Sequence, residues 1–153
     1  MKSYVPLVCV LLLSIIGLTI GCSKEQAAEV QVVNFDQLLT SPEQYNGQDV
    51  TIEGFFFHGF EIVVLSENLE YSGYAERHLV PKGKMLWIEG AISKEVYDRL
   101  YKQEMMGPTE RYGKVMLKGK FEYGGKYGHL GAYSSQIVPS EVEVLPWSRP
   151  ANQ

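Results

Sequence analysis

The sequence predicts a mainly β protein: an OB-like five-stranded Greek-key barrel with one helix between strands 3 and 4 and a short N-terminal helix. Three observations carry this expectation. Apolar spacing changes from helical to a two-residue alternation at Asp49. The segments beyond it read strand, strand, strand, helix, strand, strand, the order of an OB fold. Finally, "VTIEGFF" (Val50 to Phe56) and "VMLKGKF" (Val115 to Phe121) share the pattern Val, aliphatic, charge, Gly, Phe. Their glycines, Gly54 and Gly119, fall at matching points of the first and fourth strands, where a small barrel coils sharply and a side chain would obstruct it.

Four regions are expected along the 153 residues. Residues 1–21 read as a lipoprotein-type signal peptide: Lys2 precedes the uncharged run Tyr4 to Gly21, which ends at Gly21-Cys22 before the polar "SKEQAAE". Residues 22–33 would be a lipidated tether, residues 34–146 the barrel domain and residues 147–153 a C-terminal tail. An uncleaved anchor is the alternative for the first run, since about 18 apolar residues is near the lower limit for a spanning helix. Either reading places the remaining chain outside the cytoplasm.

Within the domain, "NFDQLLTSPEQYNG" predicts short helical turns, with Asn34 as N-cap, Phe35, Leu38 and Leu39 on one face, and Asn46-Gly47 as the stop. In the first strand Val50, Ile52, Gly54 and Phe56 point one way and Thr51, Glu53, Phe55 and Phe57 the other. A turn at His58-Gly59 leads to the strand "FEIVVLS". The stretch "ENLEYSGYAERHLVPKGK" lacks a sustained period and predicts a long loop before "MLWIEG". "SKEVYDRLYKQEMM" predicts a helix capped by Ser93 and stopped by Gly107-Pro108. The strands "GKVMLKGKFEYGG" and "SQIVPSEVEVLP" follow, with Pro139 marking a bulge or an edge, and Trp147 is the tail residue suited to docking on the domain.

Charge and cysteine content narrow the function. Loss of residues 1–21 removes Lys2 and leaves 13 Lys and Arg against 18 Asp and Glu, which disfavours a nucleic-acid partner. Cys9 would leave with the signal peptide and Cys22 would be acylated, so no thiol remains for a disulfide, a nucleophile or a Cys-type metal site. The 132 residues from Cys22 onward suffice for one domain that relies on its core. No GxGxxG, GxxxxGK, GxSxG or HExxH is present.

"YNGQDVTIEGFFFHGFEIVVLS", "LWIEG", "GKVMLKGKF" and "GHLGAYSSQI" together resemble a group of uncharacterised bacterial OB-fold-like lipoproteins with a GFFxxxFE … GHLGxYS pattern. The resemblance spans roughly Phe35 to Leu145, departs from the group at Ser135, where glycine is usual, and includes a longer "YDRLYKQEMMGPTERY" region. It implies the OB-like fold and an extracytoplasmic location, and no reaction.

The functional expectation is a lipid-anchored extracytoplasmic binding or interaction module of the cell envelope, held in the membrane through Cys22 and facing an envelope protein or a glycan, with no cofactor. Phe55 and Phe57 are candidate ligand-stacking residues, because alternation puts only one face of the Phe55-Phe56-Phe57 triplet in the core. The N-terminal helix or Trp147 covering that face is the competing reading. His58, His129 and Tyr133 are further candidate binding residues on loops. The alternative function is a small metal-assisted hydrolase built from His58, His129 and either Glu61 or Glu122. Hydrogen-bonded loop histidines are the simpler expectation. Glu53 is expected to pair across strands with Lys118.

Overall fold

A computed structural model describes residues 30–104 and 107–150. The expected signal peptide, Cys22 and most of the expected tether lie outside the described residues. The fold is mainly β, a seven-stranded mixed sheet with two short helices. Its strands are β1 (Gln31–Val33), β2 (Asp49–Gly59), β3 (Ile62–Tyr71), β4 (Leu79–Ile88), β5 (Tyr101–Gln103), β6 (Glu110–Tyr127) and β7 (Tyr133–Val144). The helices are α1 (Phe35–Thr40) and α2 (Lys94–Arg99).

The expected five-stranded Greek-key barrel is corrected: seven strands run in the order β1-β2-β3-β4-β7-β6-β5, and an additional β2–β6 pairing joins the sheet into a ring. The two strands that sequence reading missed are three residues each and cover ladder positions that the long strands leave open. β3 reaches β2 only from Phe55 to Gly59, and β1 pairs parallel with Val50–Ile52. β7 reaches β6 only from Val115 onward, and β5 takes up Glu110 to Tyr112. Each filler satisfies backbone groups that would otherwise form an unpaired edge.

Local signals explain most elements. Asn34 caps α1 in a reciprocal capping box with Gln37, its Oδ1 accepting from the Gln37 N–H at 2.8 Å. Added Cβ atoms at Gly54 and Gly119 would lie 2.9 Å from Leu65 Cγ and 2.3 Å from the Val138 carbonyl oxygen, so both strands do need close approach there. Gly119 pairs with Pro139, where the β6–β7 register shifts, a bulge that accommodates the proline.

Other elements depart from expectation. The long loop after "FEIVVLS" is mostly strand: β3 continues to Tyr71 and β4 starts at Leu79. A register shift between Ser66 and Asn68 breaks the alternation that would have revealed it. The expected long helix is α2, six residues only; Leu100 turns to ψ 150° and buries its side chain in the core, and the chain proceeds as β5. Glu53 pairs with Lys114 at 2.7 Å rather than Lys118, because the register sets Glu53 against Met116 and Lys118 against Thr51.

The sheet buries both of its faces. One core holds Phe35, Leu38, Val50, Ile52, Phe56, Leu65, Leu86, Ile88, Leu117, Phe121 and Ile137. The other holds Phe57, Val64, Leu79 and Tyr112, with Trp87, Tyr133 and Trp147 packed on it. The tail closes this second core: the Trp147 ring meets Phe55, Tyr101 and Tyr112 with centroids 5.3, 5.5 and 6.2 Å away. Its carbonyl accepts from the Tyr101 hydroxyl at 2.7 Å, and the Arg149 guanidinium lies 5.0 Å from the Tyr112 ring centroid. Trp147→Ala is therefore expected to destabilise the fold by about 2 kcal/mol or more, read as a lowered urea midpoint with an unchanged slope. An unaltered midpoint would show that the tail does not close the core.

Candidate functional site

Phe57 is 2 % exposed inside the second core, so it has no ring face to offer a ligand. Phe55 is half-buried under the edge of Trp147. The aromatic triplet is thus divided between two cores and the tail: Phe57 is enclosed in the second core, and Trp147 partly covers Phe55.

The remaining candidates converge better. A cleft of about 420 Å³ is lined by His58, Gly59, Glu61, Ile62, Val63, Trp87, Glu89, Gly128 and His129. Three segments meet there: the β2–β3 turn, the end of β4 and the β6–β7 connection. His129 Nε2 lies 3.4 Å from Glu61 Oε2, so a long polar contact joins the two loops across the opening. The Trp87 Nε1–H donates to Glu89 Oε2 at 3.0 Å, which orients the indole along the wall. Tyr133 lies just behind it, ring centroids 5.5 Å apart, and burial raises the Tyr133 phenol above its ordinary pKa, so it stays neutral.

Gly128 explains why the β6–β7 connection needs glycine where it does. It sits at φ 70°, and a Cβ would stand 2.6 Å from Trp87 Cδ2 and Cε3 and 2.9 Å from Tyr133 Cδ2. The backbone of this loop therefore packs directly on the indole. Trp87 was not singled out by sequence reading, since "LWIEG" reads as an ordinary core strand; its outward position between buried Leu86 and Ile88 was the available signal.

His58 forms the wall between this cleft and a smaller apolar recess of about 210 Å³ lined by Phe56, Val63, Gly90, Ala91, Ile92 and Tyr97. Its ring meets that of Tyr97 edge-on at 5.6 Å, and burial pushes its pKa below the usual 6.5. At neutral pH the imidazole is uncharged and can donate and accept one hydrogen bond each. A larger recess of about 510 Å³ beside α1 is lined mainly by polar groups, with Tyr133 as the one anticipated residue on its rim.

The residues of the metal-assisted alternative are brought together only in part. His58, Glu61 and His129 border one cleft, but among the described residues no group of three or more His, Cys, Asp and Glu side chains is placed to hold a metal ion. Glu122 is held elsewhere, accepting from Gln136 Nε2 at 2.6 Å. His78, the third histidine, is buried in a polar cluster with Glu110 at 2.8 Å, and Gln103 joins that carboxylate to the backbone of Leu79.

Strain distinguishes the two loops. Glu61 and Leu130 have φ 59° and 54°, two of the three left-handed non-glycine residues among those described. For an L side chain that conformation costs roughly 1–2 kcal/mol. The loop tips are also apolar and open, with Phe60 68 % and Leu130 91 % exposed. Packing gives no reason for a leucine at such a position. Such outliers collect at functional sites, where surrounding structure sustains them.

Comparison with protein-family models, with curated proteins and with solved structures finds no match for this chain.

Two outcomes follow from this geometry. Leu130→Asn loses almost no contact and relieves the left-handed strain, so it should stabilise the protein by about 0.5–1 kcal/mol in urea unfolding; a loss of stability would mean that Leu130 is held by contacts. For His58, the folded pKa lies below the unfolded value of 6.5. Between those values the unfolded chain binds more protons, so stability is full above pH 6.5 and falls as pH drops toward the folded pKa. The stability difference between wild type and His58→Gln, measured by urea unfolding from pH 7.5 to 5, should shrink as pH falls. A pH-independent difference would contradict the burial of this ring.

Proposed function

We propose that the protein is a lipid-anchored extracytoplasmic binding module of the cell envelope, and that the cleft between the β2–β3 and β6–β7 loops is its binding site. The observation that carries this reading is the coincidence of three features on these loops: a concavity of a size that suits small ligands, left-handed Glu61 and Leu130, and exposed Phe60 and Leu130 beside the lining residues in sequence. The cyclic pairing of the five long strands, β2-β3-β4-β7-β6 and back to β2, supports an OB-like reading of the ring, extended by β1 and β5. In that arrangement the loops joining the first to the second and the fourth to the fifth strands are the usual ligand-holding loops. They correspond to the two loops of this cleft.

The entry of the chain fits the same picture. β1 runs parallel to the start of β2, with Gln31 beside Val50, whereas the cleft begins at Gly59 near its far end. Nine strand residues at about 3.3 Å each separate those points, on the order of 30 Å before coiling. A lipid on Cys22 would hold the molecule from the β1 side and leave the cleft directed away from the attachment. The acidic balance of the mature chain suits a protein or glycan ligand better than a nucleic acid.

Two measurements test this. Radioactive palmitate should label the protein and the label should vanish in Cys22→Ser; persistent labelling of that variant would remove the lipid anchor from the proposal. A photo-reactive residue placed at Phe60 or at Leu130 in intact cells should give discrete adducts that the same residue at exposed Val32 or Tyr74 does not. Equal adducts at all four positions would mean that the cleft rim is ordinary surface.

A further inference from the structure

The chemical class of ligand follows from what lines the cleft. We propose that it receives an organic cation, an alkylammonium or guanidinium group seated against Trp87 between Glu61 and Glu89. This rests on the reading of the cleft as the binding site and adds the charge and shape of what enters it.

The charge is one-sided. Of the residues that line the cleft, two are carboxylates, Glu61 from the β2–β3 turn and Glu89 from the end of β4, and none is Lys or Arg. His58 is held neutral by burial. Arg111, opposite His58 on the neighbouring strand, is engaged elsewhere: its guanidinium lies 4.9 Å from the Tyr97 ring centroid and donates to the Tyr97 carbonyl at 3.3 Å. An anion would therefore meet two carboxylates with no Lys or Arg in the wall, whereas a cation meets two carboxylates on separate segments, one of them in contact with the His129 imidazole.

The wall is also of the right kind. Tryptophan is the most favourable aromatic face for a cation, and the attraction grows where water is partly excluded. Trp87 is fixed by the hydrogen bond to Glu89, the Tyr133 ring and the backbone of Gly128, so its position is set before a ligand arrives. Glu89 uses Oε2 for that bond among the described residues. Glu61 is 49 % exposed and, among the described residues, tied only by the 3.4 Å contact with His129, which a stronger donor can displace. Ile62 and Val63 supply apolar contact for the carbons next to the charged group.

This chemistry occurs on free small molecules such as quaternary amines, and on the basic side chains of peptides. Titration of the full-length protein in a non-ionic detergent, followed through its two indole N–H signals in an NMR spectrum, separates the sources. Trp147→Phe identifies the Trp87 signal. The probes are choline, the blocked amides of lysine and arginine, the neutral choline isostere 3,3-dimethylbutanol, N-acetylglucosamine and acetate. Saturable movement of the Trp87 signal is expected with one or more cations at about millimolar affinity, weakened by added salt and absent with acetate. Glu61→Gln combined with Glu89→Gln keeps an acceptor for the indole and should weaken binding about tenfold or more. A response to choline alone identifies a free cation as the ligand class; a response to the amides identifies a basic chain. Binding of the neutral isostere, the sugar or acetate as tightly as the cations, or an undiminished affinity in the double variant, overturns the cation and leaves the cleft as a site. Silence toward every probe overturns both.

Discussion

Strand β2 has two edges and three partners, and the rest of the structure follows from how it accommodates them. Along one edge it pairs with β6 without interruption, from Asp49 opposite Lys120 to His58 opposite Arg111. The other edge is divided, β1 taking Val50 to Ile52 and β3 taking Phe55 to Gly59. A flat strand could not serve both neighbours while the remaining strands return to meet it. β2 must coil, and it does so at Gly54, the one residue between the β1 and β3 pairings whose environment leaves no room for a Cβ beside Leu65, Phe35 and Ser66. The Ser66 hydroxyl, completely buried, has two carbonyl acceptors within reach for its one proton, Asn68 of its own strand at 2.9 Å and Phe55 of β2 at 3.3 Å.

Coiling at Gly54 also determines the fate of the three phenylalanines that follow. Phe56 continues the alternation of Val50 and Ile52 into the first core, while Phe57 enters the second core on the opposite face. Phe55 shares that outer side and would be left as exposed aromatic surface without Trp147. The tail therefore acts as a third layer over the sheet, pinned by Tyr101 and by the Tyr71 hydroxyl donating to the Pro150 carbonyl at 2.6 Å. The His78, Glu110 and Gln103 cluster lies at the same end of β4, β5 and β6; there Gln103 both donates to and accepts from the Leu79 backbone, standing in for a ladder partner that β4 lacks.

What was legible in the sequence depended on whether local chemistry or long-range pairing decided the structure. The α1 cap, the start of β2, the coil points at Gly54 and Gly119 and the irregularity at Pro139 are local, and their residues announce them. β1 and β5 exist because of gaps in distant ladders, and "QVV" and "YKQ" carry no signal of that. In the second half of β3, half-buried Glu67, Leu69 and Tyr71 alternate with exposed Asn68 and Glu70 only beyond a register shift, and Pro81 and Gly83 disguise the β4 pairing that Tyr71 and Leu79 complete. At the cleft, glycine-rich turns drew notice to His58 and His129, whereas Trp87 and Glu89 became part of it only through the register that sets β4 beside β7.

That register explains why there is a cleft at all. β4 and β7 are the only parallel neighbours in the ring, and they pair through just Trp87 with Gln136 and Ile88 with Ile137. The seam is extended by one bond, from the Glu89 N–H to the Ile137 carbonyl at 3.0 Å, and then the strands diverge. Every other junction in the ring has at least five paired positions. Where backbone pairing ends, side chains must close the wall, and here Trp87, Tyr133 and the Gly128 backbone do so while leaving space on the side of His58 and Glu61. A substitution that adds bulk at Gly128 would displace the indole without touching any strand ladder. The cleft is thus a consequence of the shortest seam in the sheet, held open by a loop whose shape depends on a residue without a side chain.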